Sequence, residues 1–141
     1  MYNDVLLAID LDDDSSWSKA LPVALEFVRN SDGMLHVMTV VPNFGMSIVG
    51  QFFPKGYEEE LGTKILQTLK DFVANHVPKD VKVQHIVGEG TVYEVILKIA
   101  GKINADMIVV ASGRDDLKDF LLGPNAARVV RHAKCSVTVV R

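Results

Sequence analysis

The first chemical signal in this sequence is a pair of glycines ahead of a helix start. In SGRDDLKDFLLGPNAARVV, Ser112 to Val130, an apolar run ends at Ala111-Ser112-Gly113, and nine residues separate Gly113 from Gly123. The free N–H groups of a helix's first turn, with the positive end of its dipole, attract phosphate. Gly113 lets the chain turn tightly and approach a ligand without a Cβ, and the spacing lets the chain loop out and return over the same pocket. Pro124 follows Gly123 where a hydroxyl or a free N–H is expected. Proline has no N–H, so the amides of Asn125 and Ala126 and the Asn125 side chain remain as donors. A Gly before a helix with Pro at its first position is also a common plain helix start.

A second constellation, AIDLDDD, ends the first apolar run with Asp10, Asp12, Asp13 and Asp14. Haloacid-dehalogenase-like phosphatases place an Asp-x-Asp there. The first carboxylate attacks phosphorus and the second acts as acid or base, with Mg²⁺ neutralising the cluster. In that reading Asp10 and Asp12 take those roles, and VVASGRDD offers the later carboxylates. Against it, 141 residues leave little room for a cap and no matching lysine is present. The plainer reading is a solvated loop that caps the first helix and complements its dipole.

Other catalytic templates are missing. There is no Gly-x-x-x-x-Gly-Lys-Ser/Thr loop and no Ser-Gly-Gly-x-Asp-Ser after the first strand. His36, His76, His85 and His132 show no metal spacing to one another or to Cys135, and no metal ligand set is expected. His36 reads as a packed, hydrogen-bonded strand residue. Cys135 is the only cysteine, which excludes a disulfide framework, and it reads as a small buried residue.

Alternating strand and helix segments must position these residues. DVLLAI and DMIVVA are apolar throughout, as strands covered on both faces are. MLHVMTVV reads as the second strand, VKVQHIV as an edge strand, and SVTVV closes the chain. SSWSKALPVALEFVRN reads as the first helix, capped by Ser15 or Ser16, with Pro22 either kinking it or marking a later start. YEEELGTKILQTLKDFVANHV turns Leu61, Ile65, Leu69, Phe72 and Val73 inward. TVYEVILKIAGKI opens with a capping box from Thr91 to Glu94 and buries Val92, Val95, Ile96 and Ile99. PNAARVVRHA is a short last helix with basic residues in its final turn. The segment Pro42 to Gly56 is a lid, a partner surface or a plain long loop.

Five strands separated by four helices predict parallel pairing with right-handed crossovers, hence one three-layer α/β domain over residues 1–141. With the most apolar strands central, the order is 3-2-1-4-5. Ligands then bind beyond the carboxyl ends of strands one and four, at Asp10 to Asp14 and Ala111 to Gly113. A net charge of −3 gives no reason to expect nucleic acid or an anionic membrane as partner. No stretch approaches the roughly 20 apolar residues of a membrane span. MYNDVLLAIDLDDD lacks the basic start of a signal peptide, and a cytoplasmic protein is expected.

MYNDVLLAIDLDD, LHVMTVVP and ADMIVVASGRDDLKDFLLGPNAARVVRHAKCSVTVVR together resemble the universal stress proteins, most closely their small nucleotide-binding type. The resemblance covers nearly the whole chain. It implies a Rossmann-like, adenine nucleotide alpha hydrolase-like domain that dimerises through its C-terminal strand. The nucleotide-binding branch carries Gly, two residues, Gly, nine residues, Gly, then Ser or Thr. Gly113 and Gly123 match the second and third glycines; Ala111 stands for the first with one residue fewer between, and Pro124 for the Ser or Thr. By that resemblance Asp10 sits at the adenosine end and the Val37 backbone meets the adenine edge. Ala111, Ser112 and Gly113 line the ribose-phosphate path, and Gly123, Asn125 and Ala126 present amides to the phosphates. Arg114 is an extra phosphate contact or a solvated loop residue. The implied ligand is ATP or another adenine nucleotide with Mg²⁺, bound by a stress-response module with little or no hydrolysis and no catalytic residue. The alternative within the family is a dimeric interaction protein that has lost its nucleotide.

Overall fold

The computed structural model describes residues 1–41, 57–113 and 123–141. Five parallel strands form one sheet: β1 (Asp4–Ile9), β2 (Met34–Val41), β3 (Lys82–Glu89), β4 (Met107–Ala111) and β5 (Ser136–Val140). Their order is β3-β2-β1-β4-β5, as the apolar content of the strands predicts. β1 and β4 lie inside the sheet with helices over both faces, so the middles of both strands are buried and apolar. Among the described residues, four helices cover the sheet: α1 (Ala20–Ser31), α2 (Tyr57–His76), α3 (Val92–Lys102) and α4 (Pro124–His132).

Period-two alternation divides the core between the faces. Val5, Leu7, Leu35, Val37 and Val109 pack with Ala24 and Val28 of α1 and with Leu69 and Phe72 of α2. Leu6, Met38, Ile108 and Val110 pack with Ile96 of α3 and with Ala126 and Val129 of α4. Among the described residues, no helix is long and apolar enough to cross a membrane.

Three local expectations need correction. The first helix starts at Ala20, not at Ser15 or Ser16; Asp14–Ser16 form a separate 3-10 turn capped by Asp13. Pro22 is therefore in the first turn of α1, where a missing N–H costs no helical bond and no kink is required. Thr91 does precede α3, yet its side chain makes no capping hydrogen bond, and the Glu94 carboxylate accepts from the Tyr93 hydroxyl at 3.1 Å instead. Val95 and Ile96 are buried, Ile99 is half-buried, and Val92, in the first turn of α3, is 38% exposed. In α2, Leu69, Phe72 and Val73 are buried and Ile65 is half-buried; the side chain of Leu61 and the segment Pro42 to Gly56 lie outside the described residues.

Candidate functional site

At the carboxyl end of β1 the chain folds into a loop that satisfies its own polar groups. The Asp10 carboxylate accepts the Asp12 amide at 3.0 Å, and the Asp10 amide donates to Ser16 Oγ at 2.8 Å. Asp13 Oδ1 accepts the Ser15 amide at 3.0 Å and the Ser15 hydroxyl at 2.6 Å. Ser16 Oγ lies 2.9 Å from the Asp10 carbonyl and 2.7 Å from that of Asp13. Short polar side chains tied to nearby backbone in this way stabilise tight turns. Asp10 itself stays exposed.

At the carboxyl end of β4 the geometry depends on glycine. Gly113 has φ +125°, which residues with a Cβ rarely adopt. The Ser112 amide extends the sheet by donating to the Val140 carbonyl at 2.9 Å, and the Ser112 carbonyl accepts the Gly123 amide at 2.7 Å. A Cβ on Gly123 would come within 3.2 Å of that carbonyl and 3.3 Å of Gly113 Cα. The two glycines thus bring together the ends of the nine-residue segment. One consequence departs from the resemblance. The Gly123 amide is already engaged and is not offered to a ligand. The first bond inside α4 runs from the Ala127 amide to the Gly123 carbonyl at 3.0 Å. With Pro124 lacking an N–H, the terminus retains two backbone donors without a helical acceptor, Asn125 and Ala126.

Between these two ends lies a cleft of about 440 Å³. Ala8, Val40 and Val110 at the strand ends make its apolar floor, and Val92 and Ile96 form a wall from α3. Asp10, Asp12, Asp13, Ser15 and Ser16 line one side; Ala111, Gly113, Asn125 and Ala126 line the other. Of the residues singled out from the sequence, Asp10, Ala111, Gly113, Asn125 and Ala126 meet here. Ser112 and Gly123 hold the turn together without lining the cleft, and Arg114 lies outside the described residues.

The Val37 side chain does not line the cleft. It sits mid-strand between Leu7 and His85, fully buried, on the sheet face packed against α1 and α2. β2 continues to Val41, and Val40 is its residue in the cleft. Val40, Val92, Ile96 and Val110 were not singled out from the sequence. Counting strand register to the carboxyl ends would have found Val40 and Val110; Val92 and Ile96 carry no signal beyond an apolar helix face.

The remaining titratable groups lie elsewhere. His36 is buried at the amino end of the sheet, with Nε2 bonded to Asp4 Oδ1 at 2.9 Å and Nδ1 to Gln84 Oε1, a satisfied structural residue as expected. Burial, followed by the nearby Lys70 charge, lowers the His85 pKa from its usual value. Burial raises that of Cys135. Among the described residues, no three His, Cys, Asp or Glu side chains group so as to hold a metal ion. Asp10 and Asp12 are linked to each other through a backbone amide, and the later carboxylates of the phosphatase reading, Asp115 and Asp116, lie outside the described residues.

A protein-family model described as the universal stress protein family matches residues 1–141. The chain belongs to the universal stress protein family. Universal stress protein G of Escherichia coli O157:H7 is 28% identical over 143 residues, covering 100% of both chains. A solved universal stress protein from Archaeoglobus fulgidus in complex with dAMP is 19% identical. It matches with a TM-score of 0.67 over 100% of this chain and 98% of its own. A universal stress protein crystallised in complex with cAMP is 21% identical, with a TM-score of 0.62 over 99% of this chain and 97% of its own. At such identities these two structures share the family fold with this chain.

Proposed function

We propose that this universal stress protein binds an adenine nucleotide in the cleft and acts as a regulatory binding module, not as an enzyme. The carrying observation is the arrangement across the cleft: carboxylate and hydroxyl groups on one side, two helix-start amides without a helical acceptor on the other, and an apolar floor between. Ribose hydroxyls are donors that suit Asp10, a flat base suits Val40 and Val110, and phosphate suits the amides of Asn125 and Ala126. Ala111 and Gly113 permit close approach along the ribose-phosphate path, and Arg114 adds a phosphate contact. Family members of the same fold that carry dAMP and cAMP support this reading.

ATP with Mg²⁺ is the fuller form of the proposal. The described residues supply no metal cluster of their own, so the ion would be carried mainly by the nucleotide's phosphates, which suits Mg²⁺. Asp10 and Asp13 are both engaged with amides of their own loop, which favours binding without turnover. The module is one cytoplasmic domain over 1–141, paired with a second copy along β5. Among the described residues that strand bonds only β4 and leaves its other edge unpaired.

Thermal unfolding with ATP, ADP, AMP and cAMP, with and without Mg²⁺, tests the proposal. A ligand at 100 times its Kd stabilises by about 2.7 kcal/mol, which raises the Tm of a domain this size by several degrees. Mass spectrometry of the acid-released contents of fresh protein identifies what it carries from the cell. No shift with any adenine nucleotide at millimolar concentration overturns the proposal in favour of a ligand-free interaction protein. Mg²⁺-dependent phosphate release from a simple ester, lost in Asp10→Asn, overturns the non-enzymatic reading.

A further inference from the structure

A second cavity, of about 540 Å³, lies between the last turns of α3 and α4, beside the amino ends of β4 and β5. It is at the opposite end of the sheet from the nucleotide cleft, and the inference does not depend on that cleft's ligand. Leu97, Ala100, Ala105, Ile108 and Ala133 give it apolar surface, beside the polar Asn104, His132 and Lys134. Gly101 opens onto it, and a Cβ there would meet nothing within 4 Å. The size suits a small molecule.

The charge around it is distinctive. The chain carries −3 overall, yet residues 92–106 and 123–135 hold Lys98, Lys102, Arg128, Arg131 and Lys134 against Glu94 and Asp106. The Asp106 carboxylate already accepts the amides of Asn3 at 3.0 Å and Asp4 at 2.9 Å. Lys134 lines the cavity, and Lys102 and Arg131 adjoin lining residues; none of the three has a carboxylate partner among the described residues. The carboxyl ends of two helices contribute about −0.5 each. With the negative charge of Asp106, which acts on Cys135, the sum is still less than the three cations supply, so the balance is positive.

We infer that this groove binds a small amphipathic monoanion, with its apolar body over Leu97 and Ile108 and its charged head toward Lys134. Cys135, the chain's single cysteine, lines the groove and reports occupancy directly. Its modification by N-ethylmaleimide is measured against decanoate and the neutral decanol. With decanoate at ten times its Kd the rate falls about tenfold, while decanol protects less. Gly101→Leu fills the open space and abolishes the protection, taken as the ratio of rates with and without decanoate. Lys134→Gln weakens decanoate protection while leaving decanol protection unchanged. The inference is overturned if millimolar decanoate leaves the rate unchanged, if Gly101→Leu retains full protection, or if decanol protects as well as decanoate.

Discussion

Pro124 and Gly123 determine how many backbone donors the start of α4 offers to the proposed phosphate. Gly123 donates its amide to the Ser112 carbonyl, and Pro124 has none to give, so two remain. Pro124→Ser adds an amide and a hydroxyl at the same terminus. A hydrogen bond to a charged group contributes about 1.5–3 kcal/mol, so calorimetric titration with an adenine nucleotide should show binding at least about tenfold tighter. Unchanged affinity would place the phosphates away from α4. The substitution also removes a residue well suited to the first helical position, so the unliganded protein should melt slightly lower.

Helix α3 is the element that joins fold stability to cleft shape. It carries Val92 and Ile96 into the cleft and rests on β3 where that strand has Gly88. A Cβ on Gly88 would lie 2.4 Å from Val95 Cγ1, so Gly88→Ala must push α3 outward. Overpacking of this kind costs about 1–3 kcal/mol. Denaturant unfolding should register that loss, together with weaker nucleotide binding from the displaced wall. On the same strand, His85 has a lowered pKa, from burial first and from Lys70 of α2 second. The folded state disfavours its charged form, so the unfolded chain binds the proton first as the pH falls through the ordinary value of 6.5. Stability is therefore lost between that value and the lower folded one, and returns as the pH rises. In melts from pH 7.5 down to about 5, a range spanning ordinary histidine titration, His85→Gln should lose less stability than the unmodified chain.

For the whole molecule, the two ends of the parallel sheet carry different cavities and β5 forms a third surface. In a parallel strand a residue's N–H and C=O point to the same side, and alternate residues point to opposite sides. The Val140 carbonyl is bonded toward β4 by Ser112, so Val139 presents its pair to the free edge. Proline is tolerated on an edge strand where the lost N–H faces outward. Val139→Pro should leave the fold intact by circular dichroism and shift the sedimenting species from two chains to one. A persistent dimer in that variant would mean that the chains pair elsewhere.

Much of this architecture was legible in order of apolarity. DVLLAI and DMIVVA have no polar residue between their ends, which only a doubly covered, central strand accommodates, and that placed the switch point between β1 and β4. Gly113 and Gly123 were legible for a similar reason, since a positive φ and a backbone contact leave few other choices. What the sequence could not decide was how each polar group is used. Asp10 tied to the Asp12 amide, Glu94 held by Tyr93 and the Gly123 amide closed on Ser112 are choices among competing acceptors, settled by three-dimensional distance. Register decided the rest. Two residues along β2 separate a fully buried Val37 from Val40 in the cleft, and apolar pattern alone does not show where a strand's end falls against its neighbours. The sequence by itself determined the layers, the strand order and the position of the switch point, because apolar burial and chain chirality act locally and additively. The tertiary structure alone decided which amides remain free for a ligand, because a hydrogen bond goes to whichever partner the packed chain brings within reach.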